Sequence, residues 1–200
     1  MIGETVAVEG IGEVEDVLVA PGRGTEPASS YAPPGVPVIY ELHFPKSFSG
    51  RLAGRKVTVR GEPLDVVGDP RQYQPENTPT RWWMPAEVGD FGMTEPIELV
   101  RMETAADDLG DVSSSPEHVC GTLARVVGGG AGMGWDAQAA SVERSVSFWC
   151  RWSEALGKAA RGDVRPLRVE WGGREFRVSD IDDKNGAHLM VEIKAVVKDG

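Results

Sequence analysis

Val57-Thr-Val-Arg-Gly-Glu-Pro-Leu-Asp-Val-Val-Gly-Asp69 alternates apolar and polar residues on both sides of a Gly-containing turn. Val57 and Val59 share one parity before the turn, and Leu64 and Val66 share one after it. A period of two marks strands with a single buried face, so the stretch predicts a tight β-hairpin with these four side chains inside. About 110 residues later, Leu167-Arg-Val-Glu-Trp-Gly-Gly-Arg-Glu-Phe-Arg-Val-Ser-Asp180 repeats the pattern through Leu167, Val169, Phe176 and Val178. The strand ahead of each hairpin also repeats: Tyr40-Glu-Leu-His-Phe44 in the first half and Ser145-Val-Ser-Phe-Trp-Cys-Arg-Trp152 in the second. The expectation is an all-β protein of two tandem small antiparallel barrels or sandwiches, with at most one short helix each. Such a duplicated scaffold points away from one large enzyme core.

Working outward, Glu4–Glu9 and Glu13–Ala20 read as strands. Residues 21–36 hold four Pro and three Gly, which removes ladder donors and predicts a long loop. Val36–Phe44 reads as a strand, and 46–56 as a turn region. Arg81–Val88 reads as a strand limited to an edge by Pro85, and Ile97–Met102 as the strand that closes the module. The second half repeats the order: strand His118–Val127, a Gly-rich loop from Gly128, strand Val142–Trp152, the hairpin, and a last strand Ala187–Val197. Ser153 ahead of Glu154 predicts a capped short helix over 153–160. No helices of 10–15 residues separate the strands, which excludes a βαβ plan. The expected domains are 1–104 and 118–200, joined by a small, polar, acidic linker over 105–117.

The 200 residues carry a net charge of −10, with acids outnumbering bases in both halves. That balance excludes a conventional nucleic-acid binder, which concentrates positive charge. No run approaches the ~18 apolar residues of a membrane span, and the N-terminus has no basic start or apolar run. Synthesis in the cytoplasm is therefore expected. Cys120 and Cys150, each in an alternating segment, read as buried thiols.

Several constellations suggest chemistry and fail on spacing. Asp180-Ile-Asp-Asp-Lys-Asn-Gly186 places Lys184 where a calcium loop needs an oxygen ligand, and reads as a polar turn. Gly128–Gly134 lacks the Lys-Ser/Thr of a phosphate loop. His43, His118 and His188 gather no ligand set; His118 with Cys120 makes two of the four that structural zinc needs. Ser147 has no elbow motif, and Arg161-Gly-Asp163 reads as a loop after the helix. No catalytic residue, cofactor or metal is expected.

Tyr40-Glu-Leu-His-Phe-Pro-Lys46, Leu52-Ala-Gly-Arg-Lys-Val-Thr-Val-Arg-Gly61, Val66-Val-Gly-Asp-Pro70 and the Trp-containing 81–88 segment resemble head-to-tail stopper (head-closure) proteins of long-tailed phages, particularly those of actinobacterial hosts. Val146–Trp152, Leu167–Asp180 and Met190–Lys194 are more loosely similar to the same head-tail connector superfamily. The resemblance spans 36–100 and, less closely, 142–196. It implies a virion protein of the neck: a small β-barrel, repeated as a ring of copies between a portal or adaptor protein and a tail terminator or tail tube protein. A loop would reach into the channel, and packaged DNA would pass through without sequence recognition. By that implication the channel-loop candidates are Arg23, Glu26 and Tyr31, with Met133 and Trp135 as their counterparts in the second module. The chain departs from the family in having two modules where the family typically has one.

Physical reasoning adds that small barrels with short strands leave edges a neighbouring chain can cover, and that head-to-tail contacts between copies close into rings. Arg81, Trp82, Trp83 and Met84 are residue types enriched at interfaces and are the interface candidates. On a strand, one of the two Trp faces the core. The alternatives are a tail terminator or minor tail protein, or a monomeric glycan-binding module using exposed Trp82, Trp83 and Trp135.

Overall fold

The structure is a computed structural model that describes residues 2–27, 31–74, 79–106, 112–128 and 145–197. It divides the chain into two compact units, 1–91 and 92–200.

The first unit contains β1 (Glu4–Val8), β2 (Gly12–Pro21), β3 (Tyr40–Pro45), β4 (Lys56–Val59), β5 (Glu62–Val66) and β6 (Trp82–Gly89). They close into an antiparallel barrel in the order β1-β2-β3-β6-β5-β4, with β4 returning to β1 through Ala7↔Thr58 and Val8↔Val57. The alternation that marked the hairpin fixes which face is buried: Val57, Val59, Leu64 and Val66 all lie in a core shared with Val6, Val8, Val17, Leu42 and Phe44. Fully burying side chains of this size contributes about 1.5–3 kcal/mol each.

The second unit contains β7 (Glu95–Ala106), β8 (Val112–Val127), β9 (Ser145–Arg151), α1 (Glu154–Arg161), β10 (Leu167–Trp171), β11 (Arg174–Asp183) and β12 (Met190–Val197). Its barrel runs β7-β8-β9-β12-β11-β10, with β10 closing onto β7 through Glu170↔Glu98 to Leu167↔Arg101. Every strand of the first barrel thus has a counterpart six strands later, and the two strand orders are the same. Leu167, Val169, Phe176 and Val178 are all buried, together with Phe148, Leu99 and Ile193.

Both hairpins turn through two residues with positive φ: Arg60 (52°) with Gly61 (87°), and Gly172 (56°) with Gly173 (73°). Positive φ at both central positions matches the twist of antiparallel strands. The helix forms where its cap predicts. Ser153 Oγ accepts from Leu156 N–H at 3.3 Å, and Leu156 and Ala159 are buried in the second core.

Four expectations are corrected. Residues 97–102 do not close the first module; as part of β7 they open the second barrel, so the boundary falls at 91–92. The expected linker over 105–117 is not a linker among its described residues: 105–106 end β7 and 112–117 begin β8, paired from Ala106↔Val112 to Arg101↔Glu117. Val36 and Val38 are buried, but the strand they were expected to join starts at Tyr40. Both barrels are closed, so neither sheet has an open edge around its circumference. Pro85 is accommodated because β5 pairs with β6 only at Val88 and Gly89, leaving Pro85 paired on the β3 side alone.

Candidate functional site

Strict alternation would place Trp82 on the same inward face as Met84, Ala86 and Val88. A β-bulge prevents this, since the β3–β6 register shifts between Phe44↔Met84 and Pro45↔Trp82. The extra residue lets Trp83 pack against the first core while Trp82 turns outward. There Trp82 Nε1–H donates to the Asp16 carbonyl at 2.8 Å, and the Arg81 guanidinium lies over the indole, 4.5 Å from the ring centroid. Arg81 also pairs with the Asp16 carboxylate at 2.6 Å. Asp16 sits at φ 59° beside the register shift in the β1–β2 pair, so two bulges meet at one surface cluster.

The four interface candidates therefore separate. Arg81 and Trp82 form an outward, preorganised pair. Trp83 is half-buried, and Met84 is 2% exposed, inside the first core, where it offers no surface. With one face of Trp82 covered by Arg81 and Trp83 held on the core, this strand does not present the open aromatic platform that the glycan-binding alternative requires.

The segment after β2 is less loop-like than its composition suggests. Gly22 N–H donates to Ile39 C=O at 2.8 Å, Gly24 N–H to Val38 C=O at 3.1 Å, and Val38 N–H to Thr25 C=O at 3.0 Å. The two backbones pass so closely that a Cβ at Gly22 would lie 2.3 Å from the Val38 carbonyl oxygen. Arg23 pairs with Glu87 on β6, and Glu26 accepts from Gly35 N–H at 3.0 Å. Ala32 and Val36 fold back into buried positions beside half-buried Tyr31. Of the channel-loop candidates, Arg23, Glu26 and Tyr31 thus sit on one tethered segment. Met133 and Trp135 lie outside the described residues.

Among the described residues, no three His, Cys, Asp or Glu gather where they could hold a metal ion. His118 Nε2 instead meets Glu98 at 2.8 Å. In the candidate calcium turn, Lys184 Nζ takes the central position, paired with Asp182 and Glu192 and 4.8 Å from the Trp149 ring centroid. Burial pushes this amine down, but the two carboxylates outweigh it and hold Lys184 above the ordinary lysine range. Burial also pushes the Cys150 thiol up to about 12, and Cys150 Sγ contacts the Val191 carbonyl at 3.7 Å.

Sequence reasoning missed one surface entirely. β7 continues past its last barrel partner, Arg101, and β8 begins well before its first contact with β9 at Ala124. Residues 102–106 and 112–117 form a two-stranded ribbon that projects from the barrel, and Ser114, Ser115, Pro116 and Glu117 are exposed.

The family model of the phage head completion protein matches residues 91–198. That span begins at the boundary between the units and covers all six strands of the second barrel. The chain belongs to the phage head completion protein family. The head completion match falls on the second barrel, whereas the stopper resemblance was closer over 36–100. No match is found among curated proteins. A chain from a solved structure titled "Virion of native gene transfer agent (GTA) particle" is 20% identical, with a TM-score of 0.36, over 52% of this chain and 93% of that one. As a head completion protein, the chain is a structural component of the virion. It acts in head closure as part of the head-to-tail connection, in contact with other head and tail components.

Proposed function

We propose that copies of this head completion protein stand side by side as a ring at the neck, around the channel through which DNA leaves the head. A portal or adaptor protein would dock above, and a tail terminator or tail tube protein below. The mechanism is steric. The tethered segment after β2 would narrow the passage after packaging, with Arg23, Glu26 and Tyr31 facing the lumen. The Arg81–Trp82 pair would seat a neighbouring chain, since Arg and Trp supply much of the binding energy at interfaces. The protein would act by shape, without catalysis.

The observation that carries this reading is the head completion match over a complete closed barrel whose strand order recurs in the other half. The net charge of −10 supports a lumen that does not grip DNA; lumen-facing residues that proved mostly Lys and Arg would refute that part. Particles lacking the protein are expected to fill with DNA, lose it, and carry no tails. Normal tailed, full particles without the protein would overturn the proposal. Location at the far end of a complete neck would favour a tail terminator instead.

A further inference from the structure

Three carboxylates stand in one row on the outside of the second barrel. Glu170 on β10 lies directly opposite Glu175 on β11 and directly opposite Glu98 on β7. Like charges facing each other across a sheet are destabilising, so the row calls for a cationic counterpart. Arg168 meets Glu175 at 3.3 Å and His118 meets Glu98 at 2.8 Å, but exposed Glu170 has no partner among the described residues. Beside the row the surface turns apolar. Pro96 on β7 pairs with Leu123 on β8, and both are exposed, Leu123 by 53%. Next to Pro96 the Gly172–Gly173 turn carries no side chains, which leaves a shallow hollow bounded by Pro96, Glu170, Trp171, Arg174 and Glu175.

The first barrel carries the converse arrangement, a protruding apolar side chain beside three arginines. Ile11, at the turn between β1 and β2, is 42% exposed. That turn packs on the 50–55 segment: a Cβ at Gly50 would lie 2.8 Å from Ile11 Cδ1, and one at Gly10 would lie 2.5 Å from an Arg55 Nη. Arg55 donates to the backbone carbonyls of Arg51 and Glu9, at 2.8 and 2.5 Å. Arg51 and Arg71, both exposed, share the one carboxylate of Asp69 at 3.2 and 2.5 Å. Three guanidinium groups therefore stand against two carboxylates, Asp69 and Glu9, on a chain of net charge −10.

We infer that these two surfaces meet between copies: Ile11 of one copy seats in the hollow beside Pro96 and Leu123 of the next, with Arg51, Arg55 and Arg71 against the Glu98–Glu170–Glu175 row. An apolar centre within a charged rim is the common anatomy of a protein interface, and the arginines supply the positive charge that the carboxylate row lacks. Different patches meet, so the contact is head-to-tail, the kind that closes a ring when the rotation fits. This rests on the ring reading above and names the surfaces that would build it.

The test assembles particles with the full chain carrying Glu98→Lys and Glu170→Lys on the second barrel, or Arg51→Glu and Arg71→Glu on the first. All four side chains are exposed, and thermal melts of the variants are expected to coincide with the wild type. Each pair alone is expected to lower neck incorporation by about tenfold, and the two combined in one chain to restore it to within about threefold, because every contact then regains opposite charges. As a second readout, Ile11→Cys with Leu123→Cys in a Cys120→Ser background is expected to give chain-to-chain disulfide ladders from oxidised particles. A ring seen at the neck without charge-swap rescue and without ladders, or with the disulfide formed only inside single chains, overturns these docking surfaces while leaving the ring standing. Absence of any ring of this protein overturns both.

Discussion

The β1–β2 and β7–β8 hairpins occupy the same place in two barrels of the same strand order, yet they end differently. The first reverses through three residues, 9–11, immediately after Val8 completes barrel closure with Val57. The second runs on from Arg101 to Ala106 and returns from Val112. At about 3.3 Å per residue, that extension carries the ribbon more than 10 Å beyond the closing pair. Closing a barrel requires only the strand length that reaches its neighbours. Strand beyond that length is not needed for closure, and its residues 113–117 are exposed. The first barrel shows the minimal form, and the second shows the same form with a surface added.

This comparison breaks first at the cores. Phe44 and Phe148 are each fully buried, in clusters that share no residue. Phe44→Ala and Phe148→Ala should each cost about 3–5 kcal/mol. In differential scanning calorimetry each is expected to move one transition and leave the other in place; equal movement of both would show that the two barrels are not separate folding units.

The exit from the first barrel gives a smaller effect. Asp65 is buried and accepts from Phe91 N–H at 3.3 Å, with Lys56 Nζ 3.9 Å away, where the counterpart on β11 is the exposed Arg177. Asp65→Ala should cost the first barrel about 1–3 kcal/mol by stranding buried polar groups. Arg177→Ala should change the second by less than about 0.5 kcal/mol, as read by denaturant titration.

The two hairpin turns separate the barrels again. Gly173→Val forces a branched side chain to φ 73° and should cost about 1–2 kcal/mol. Arg60 already sits at φ 52° and is tied to Glu4 at 2.5 Å, so Arg60→Gly gains backbone ease, loses an exposed pair, and should leave the denaturation midpoint of the first barrel where it is in the wild type.

The thiols give the finest distinction. Cys150 is fully buried with its thiol pushed up to about 12, and should resist alkylation at pH 8 until the second barrel opens. Half-exposed Cys120, whose thiol burial and then Glu98 also push up, should label first because reagent can reach it in the folded protein. Equal labelling rates in the folded protein would contradict the packing of β9.

The sequence showed the buried faces clearly because alternation reports burial. Val57, Val59, Leu64, Val66 and their four counterparts were legible for that reason, as was the Ser153 cap. Pairing without burial leaves no such trace. Glu103, Thr104 and Ser113-Ser-Ser-Pro-Glu117 are exposed whichever way they point, so the stretch reads as linker although the structure pairs it as strand. The boundary was misplaced because residues 97–102 suit either barrel by pattern, and only the pairing with Leu167–Glu170 assigns them. Trp82 and Trp83 could not be separated because a bulge reverses parity, and the shift shows only once β3 is aligned against β6.

An electron cryo-microscopy reconstruction of the neck in intact particles tests these conclusions most directly. Density for a ring around the DNA axis is expected, each chain contributing two closed six-stranded barrels. A neck without this chain, or one built from it with the two halves folded into a single core, would contradict both the architecture and the role drawn from it.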